Sequence, residues 1–451
     1  MTYIPCLLVK GCENLKKRKN SRTRKKNNYI EVYRTFLYCM LACSVTALIF
    51  TCYFSLWRKL PSDIKIKAGI DQTLDLQVPV SGELYRDAIE VSGITKSNIP
   101  KDSIHIDLAK PITLKASNIE KYVLDLKLFG IIPLKTVDVQ VIQDRTLTPA
   151  GMPIGIYVKT HGVLVIGVGD FIGEDGQTCS PSEYILKSGD YILKVNDEDI
   201  ANKADFVEKV KHSEGQEMIL LIKRGEEEMP IKVKPEANQT GEYKIGVWIR
   251  DNAQGVGTMT YLSENSGFGA LGHGINDVDT STLMDLEKGT LYRTQIIGIT
   301  RGSNGAPGEL TGYIEYDDSN IIGKINENTS EGIFGTCSQT VQEEVPFEPL
   351  PIGLKQEIKK GPAQIICSID GTPRYYDIEI LEVHLDNKNV NRGIVLKITD
   401  KELLSLTGGI VQGMSGSPIV QDGKFIGAVT HVLVQDATSG YGIFIENMLL
   451  H

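Results

Sequence analysis

The run Gly408-Gly409-Ile410-Val411-Gln412-Gly413-Met414-Ser415-Gly416-Ser417-Pro418-Ile419 decides how the rest of the chain reads. A serine stands in a glycine-dense turn just ahead of the apolar pair Ile419-Val420. A polar turn, Gln421-Asp422-Gly423, then leads into a second apolar run, Phe425 to Thr430. Glycine accepts backbone angles closed to other residues, so Gly413 lets the chain fold back sharply. Such a turn brings the amides of Gly413 and Ser415 to one point beside the Ser415 hydroxyl, the arrangement of an oxyanion hole. A Gly/Ser hairpin loop without chemistry fits the same residues, because short motifs recur by chance.

A nucleophilic serine needs a base, and the base an orienting group. Of seven histidines, His273 stands out, in Gly267-Phe268-Gly269-Ala270-Leu271-Gly272-His273-Gly274-Ile275. A histidine in a glycine-dense turn is poorly placed for core packing and well placed to face a cleft. The orienting acid is open on local grounds. Asp277 and Asp279 lie nearest to His273 in sequence, while Asp400 reads locally as a turn residue opening the segment Lys401 to Leu406.

Four segments, taken in order, carry a resemblance: Gly269 to Ile275, Lys397-Ile398-Thr399-Asp400, the serine loop Gly408 to Ile419, and Gly427-Ala428-Val429-Thr430-His431-Val432. Together they resemble the stage IV sporulation protein B serine peptidase family, which is grouped with chymotrypsin-like enzymes. The resemblance implies Ser415 as nucleophile, His273 as general base and Asp400 as orienting acid, in the chymotrypsin order. It also implies a two-barrel fold, in which Asp400 and Ser415 are unusually close in sequence. The strand after the serine usually walls the pocket for the substrate side chain, which points to Thr430 and His431 as substrate-pocket residues.

The net charge of −9 is unevenly spread. Residues 1–59 carry 12 Lys/Arg and 2 Asp/Glu, which leaves 36 and 55, a net −19, in residues 60–451. An acidic bulk excludes a nucleic-acid partner as the first reading of the basic tail. The neighbour of that tail explains it better. Phe36 to Trp57 is free of charge and long enough to cross a bilayer as a helix, and the heavier positive flank is N-terminal. The tail at 1–35 is therefore expected in the cytoplasm and the bulk of the chain outside it. A cleaved signal peptide is the rival reading, but no small-x-small site follows the span. Of eight cysteines, Cys6, Cys12, Cys39, Cys43 and Cys52 fall in the tail or span, and only Cys179, Cys337 and Cys367 beyond it. Three cysteines make no disulfide framework, and no Cys/His spacing suits zinc, so neither metal nor cofactor is expected.

Three units follow the span at 36–57. Residues 60–145 alternate in short runs (Leu74 to Val80, Ile104 to Leu108, Tyr122 to Phe129, Thr136 to Ile142) and read as a small β-rich region. Thr146 to Pro153 reads as a linker. Residues 150–235 resemble a PDZ domain. Strand-like Ile154 to Lys159 and Gly162 to Val168 come first. A helix start at Pro181-Ser182-Glu183-Tyr184, the run Ser188-Gly189-Asp190-Tyr191-Ile192-Leu193-Lys194-Val195-Asn196, a helix Ala204 to Lys211 and a strand Glu217 to Lys223 follow. Such a domain binds an extended peptide by strand addition, with a loop taking its carboxylate. Thr160-His161-Gly162-Val163 is the candidate loop. Residues 245–451 hold many short strands between Gly/Asn/Asp turns, among them Gly257 to Tyr261 and Phe425 to Val434, as in a barrel or sandwich.

The fold expected is thus mainly β: a chymotrypsin-like double β-barrel, preceded by a PDZ domain, a β-rich region and one transmembrane helix. The activity expected is that of a serine endopeptidase. The resemblance further implies sporulation signalling between the two membranes around the forespore, self-cleavage, and a membrane-bound regulator of an intramembrane protease as substrate. A PDZ scaffold with a non-catalytic peptidase-like domain is the alternative, and it makes Ser415 dispensable.

Overall fold

The structure, a computed structural model, describes residues 7–74, 78–86, 104–116, 119–386 and 388–451. The expected strand Leu74 to Val80 falls partly on 75–77, outside the described residues; strands Gln72–Leu74 and Val80–Arg86 flank that gap. Helix α1, Leu7–Lys59, contains one stretch, Tyr33–Lys59, long and apolar enough to cross a membrane.

After α1 comes a five-stranded sheet whose core includes Leu108, Leu124 and Val137. Its first strand, Asp63–Lys67, pairs in parallel with Ile132–Ile142. That strand turns Lys65 inward against the C-terminal end of the chain and Lys67 inward against the Ile352 carbonyl and Asp144. Lys65 Nζ donates to the Glu446 carbonyl at 2.9 Å, and Lys355 Nζ reaches back to Asp63 at 2.7 Å.

The C-terminal part is two six-stranded antiparallel barrels, whose strands are numbered here β1–β12. The first comprises β1 (Pro153–Val168), β2 (Val247–Leu262), β3 (Gly267–Ala270), β4 (Lys288–Thr300), β5 (Ile321–Thr329) and β6 (Gly332–Cys337). Its order is β1-β4-β5-β6-β3-β2, and the β1–β2 pairing closes the ring. The second comprises β7 (Gly361–Cys367), β8 (Arg374–Val383), β9 (Ile394–Ile398), β10 (Pro418–Gln421), β11 (Lys424–Leu433) and β12 (Asp436–Phe444), closed in the order β7-β8-β9-β12-β11-β10. Inward β-branched and leucine side chains fill each barrel: Ile154, Ile156, Leu291 and Ile333 in the first, Ile365, Ile394, Leu396 and Ile419 in the second.

The PDZ unit grows out of the first barrel. β1 and β2 are 16-residue strands paired from Val168↔Val247 to Pro153↔Thr258. Residues 153–159 and 252–258 belong to the barrel, while 163–168 and 247–250 join the sheet with Tyr191–Val195, Met218–Arg224 and Glu227–Val233. A bend separates the halves. Gly162 is left-handed (φ 69°), and a Cβ there would lie 2.2 Å from the Ile192 carbonyl. Helix α2, Lys203–Lys211, is capped by Asn202 and buries Phe206 and Val210 against this sheet. The expected boundaries at 150–235 and 245–451 cut across this ribbon. Thr146–Pro149, expected as linker, is a strand on Tyr261-Leu262 with Leu147 buried, and Pro181–Tyr184 is a turn rather than a helix start.

Candidate active site

β3 ends against the second barrel, and the chain reverses through Leu271 and Gly272, both left-handed (φ 70°). A Cβ at Gly272 would press on Ile443 and Thr430 of the second barrel, at 2.9 and 3.0 Å, so only glycine allows this approach. The turn delivers His273, half-buried, to the seam between the barrels. Its Nδ1 lies 2.9 Å from the Gly274 carbonyl, which can only accept, so Nδ1 carries the proton and Nε2 is left as the acceptor. Burial lowers the His273 pKa from the ordinary imidazole value, and the Gly274 contact opposes this. The ring is therefore neutral at neutral pH, in the tautomer a general base needs.

Ser415 comes from the second barrel, in the loop between helix α3 (Lys401–Thr407) and β10. The first barrel holds this loop from the other side. Thr258 Oγ1 donates to the Gly413 carbonyl at 2.7 Å, Thr258 N to the Ser415 carbonyl at 3.1 Å, and Leu310 N to the Gln412 carbonyl at 2.8 Å. Met414 N and Gly416 N are bonded to the carbonyls of Val411 and Val429, whereas the amides of Gly413 and Ser415 have no partner among the described residues. Gly413 has φ 96°, closed to other residue types without strain. Two unpaired amides beside a serine hydroxyl form a ready anion site.

His273, Gly413, Ser415 and His431 line one cleft of about 330 Å³, walled on one side by Gln254–Val256 of β2. The His273 and His431 rings lie 4.9 Å apart. Although the outer edge of His431 meets solvent, burial of its inner face, with His273 and then Arg392 nearby, holds its pKa down to about 4. Thr430 is buried and takes part through its backbone: its carbonyl accepts the Ser415 hydroxyl at 2.7 Å, and its own hydroxyl donates to the Asn391 carbonyl.

Asp400, the expected orienting acid, is not brought to this cleft. It caps α3: Oδ1 accepts from Leu403 N at 2.9 Å, and Oδ2 faces the Asp377 amide. It follows β9, whereas Asn391, whose side chain bonds the His273 turn, precedes that strand. Asp277 is engaged as well. Burial raises its pKa, but the Thr280 amide and the Arg250 guanidinium outweigh this and hold it below the usual carboxylate range. The Thr160–Val163 segment forms the bend in β1, with Thr160 bonded to the carbonyls of Gly162 and Asp251. It does not line the groove beside α2, about 780 Å³, whose walls include Phe206, Val210 and Lys244–Asn252.

Residues 241–449 match the family model described as SpoIVB peptidase S55. That stretch is similar to the family, and both barrels' contributions to the cleft, His273 and Ser415, lie within the matched residues. No curated protein matches the chain. Among solved structures, the PDZ domain of the SdrC-like protein from Listeria monocytogenes is similar at 20% identity, over 20% of this chain and 87% of that one, with a TM-score of 0.17.

Two residues of the matched stretch matter that sequence reading did not single out. Asn391 Nδ2 donates to the Gly272 carbonyl at 2.5 Å and to the Ser330 carbonyl at 2.8 Å, while its own carbonyl takes the Thr430 hydroxyl at 2.7 Å. It ties the His273 turn to the strand whose Thr430 carbonyl accepts the Ser415 hydroxyl. Arg250, on the PDZ half of β2, reaches Asp277, and reaches Asp279 at 2.8 Å, in the loop that follows His273. Neither residue belongs to a periodic pattern or a recognisable motif, so no sequence signal marks them.

Proposed function

We propose that the chain is a membrane-anchored, extracytoplasmic serine endopeptidase that uses Ser415 as nucleophile and His273 as general base. One observation carries this reading: the two barrels converge a neutral Nδ1–H imidazole, a serine hydroxyl and the unpaired Gly413 and Ser415 amides on one cleft. In the reaction, Ser415 Oγ swings from the Thr430 carbonyl toward His273 Nε2 and loses its proton there as Oγ bonds to the scissile carbonyl carbon. The carbonyl oxygen becomes an oxyanion held by the two amides. His273 then gives the proton to the leaving amine as the peptide C–N bond breaks. Water, deprotonated by the same ring, releases the acyl group and restores the serine. The Gly274 carbonyl fixes the tautomer, and His431 shapes the substrate pocket.

The cytoplasmic tail, the span and the acidic outer part support the anchored topology, with α1 retained. The family supports a role in sporulation signalling in the forespore intermembrane space, cutting a membrane-bound regulator of an intramembrane protease and the chain itself. The groove beside α2 suits a peptide ligand of the PDZ unit. The rival reading, a scaffold with an inert peptidase-like part, draws on the engagement of the Ser415 hydroxyl by Thr430 rather than by His273. The test is a fluorophosphonate serine probe on the full chain in detergent, beside Ser415→Ala, with self-cleavage followed on gels. Covalent labelling and cleavage in the wild type alone support the peptidase. A folded wild type that neither labels nor cuts supports the scaffold.

A further inference from the structure

The turn that joins strands Lys121–Leu128 and Ile132–Ile142 carries three large apolar side chains in the open. Phe129 is 71% exposed, Ile131 81% and Ile132 50%. The stretch Leu128-Phe129-Gly130-Ile131-Ile132-Pro133-Leu134 has no charge and is bracketed by Lys127 and Lys135. Its position relative to α1 gives this patch a meaning. Tyr53 Oη donates to the Pro133 carbonyl at 3.2 Å; further along the same strand, Lys135 Nζ sits 4.6 Å over the Trp57 ring and donates to the Leu60 carbonyl at 2.7 Å. Strand and helix therefore run side by side in the same sense. Moving from Lys135 to Pro133 moves from the mouth of the apolar span into it, and the turn lies beyond Pro133.

The depth follows from the rises. Trp57 to Tyr53 is about 6 Å along a helix, and two further strand residues add about 7 Å, which puts Ile131 roughly 10 Å or more past Trp57. A single hydrocarbon leaflet is about 15 Å thick. We propose that the 128–134 turn dips into the outer leaflet of the membrane that α1 crosses, as a second anchor beside the helix. Backbone groups in hydrocarbon must be satisfied within the protein. The amides of the turn meet this demand: those of Phe129, Gly130 and Ile131 donate to the carbonyls of Pro79, Lys127 and Leu128 at 3.4, 3.4 and 3.2 Å. Lys127 on the strand before the turn and Arg58 and Lys59 at the end of α1 supply the charged collar of a membrane interface. Two anchors fix the orientation of the β-rich unit against the membrane, and its buried lysines carry that orientation to the second barrel.

The inference rests on α1 crossing the bilayer, so its test reads both. The wild-type full chain is placed in nanodiscs containing a phospholipid with a diazirine in mid-acyl chain, photolysed, digested and mapped by mass spectrometry. The peptide holding Phe129–Ile132 is expected to take label as the Phe50–Phe54 peptide does, while the peptide holding Tyr184, 92% exposed on the PDZ unit, takes none. Label on the span but not on the turn overturns the inference and assigns the patch to water or to a protein partner. No label on either removes the anchor reading and the inference together. As a second measurement, Ile131→Trp in a Trp57→Phe, Trp248→Phe background is expected to emit at shorter wavelength and to be quenched by brominated acyl chains. Quenching by aqueous iodide alone, as at Tyr184→Trp, contradicts insertion.

Discussion

Asp400 separates two accounts of the site. If it orients His273, replacing it by asparagine leaves the shape and ruins the tautomer, a change that lowers turnover by about four orders of magnitude in a serine-protease triad. In this structure it caps α3 instead, with Oδ1 on Leu403 N at 2.9 Å. Asparagine caps a helix about as well as aspartate, so Asp400→Asn loses only the charge–dipole part, about 0.3–1 kcal/mol. Asp400→Ala loses the cap itself, about 1 kcal/mol. The helix is held further by buried Leu403 and by the left-handed Gly408 that ends it (φ 74°), so neither loss unfolds the unit. The assay is the rate of fluorophosphonate labelling at Ser415 beside thermal unfolding of the same preparations. Labelling within a few-fold of wild type in Asp400→Asn, with a small drop in Tm for Asp400→Ala, is the expected result. A thousand-fold slower reaction in Asp400→Asn at unchanged Tm would refute the capping account and restore Asp400 to the reaction.

Further consequences are equally open to measurement. Because burial depresses the His273 pKa, its free base persists to lower pH, so the acid limb of Ser415 labelling falls below the ordinary imidazole value; a limb at or above that value contradicts the burial shown here. The neighbouring His431 is held at about 4 in the folded chain, so the stability it contributes is complete above the ordinary value near 6.5 and drains away as pH falls toward 4, a loss that His431→Gln should flatten in a Tm-versus-pH series. Asn391→Ala should slow labelling with little change in Tm. Asn391→Asp, which sets a negative charge against two carbonyls, should be slower still, although a purely space-filling role predicts the reverse order. Arg250→Gln should weaken labelling without weakening the barrels, and equal labelling would mean the His273 loop holds itself.

How much of this was legible in the sequence depended on how local each cause is. The tight turn around Ser415 was legible as a turn because its needs are local: Gly413 and Gly416 take φ values of 96° and 98° that the run of glycines announces. The cleft-facing position of His273 was legible for the same reason. Asp400 shows a conflict between two kinds of sequence argument. Its local context, an acid opening an apolar helical segment, described a cap and matches the structure, whereas family order assigned it to a cleft it does not reach. Strand edges in the second barrel came close, as in Phe425 to Val434 against Lys424–Leu433, because the apolar run there is uninterrupted from Phe425 to Val429. β2 was recognised only at Gly257 to Tyr261. Its earlier half, Arg250-Asp251-Asn252-Ala253-Gln254-Gly255, is polar and glycine-bearing, and it is a strand because β1 and the cleft hold its two faces. Such support comes from residues far away in sequence, and so do the tasks of Asn391 and Arg250.

The β1–β2 ribbon also changes what the PDZ unit is. Lys159 faces Asn252 across the ladder, so residues 160–251 are an insertion into the first hairpin of the first barrel rather than a domain on a tether. The strand that edges the groove beside α2 becomes, within a few residues, the strand whose Gln254–Val256 wall the cleft and whose Thr258 holds the Ser415 loop. A second route runs parallel to it: Tyr191 Oη accepts from Asp285 N at 3.0 Å, and Lys223 pairs with Asp285 at 2.7 Å, which fastens the far end of the His273 loop to the same insertion. The His273 loop is therefore held partly by PDZ residues, and the Ser415 loop by the strand continuous with them. A flexible tether transmits no geometry, but a continuous strand with side-chain contacts on both sides does. The barrels and the PDZ unit share one continuous ribbon, and the arrangement of the cleft cannot be ascribed to the barrels alone.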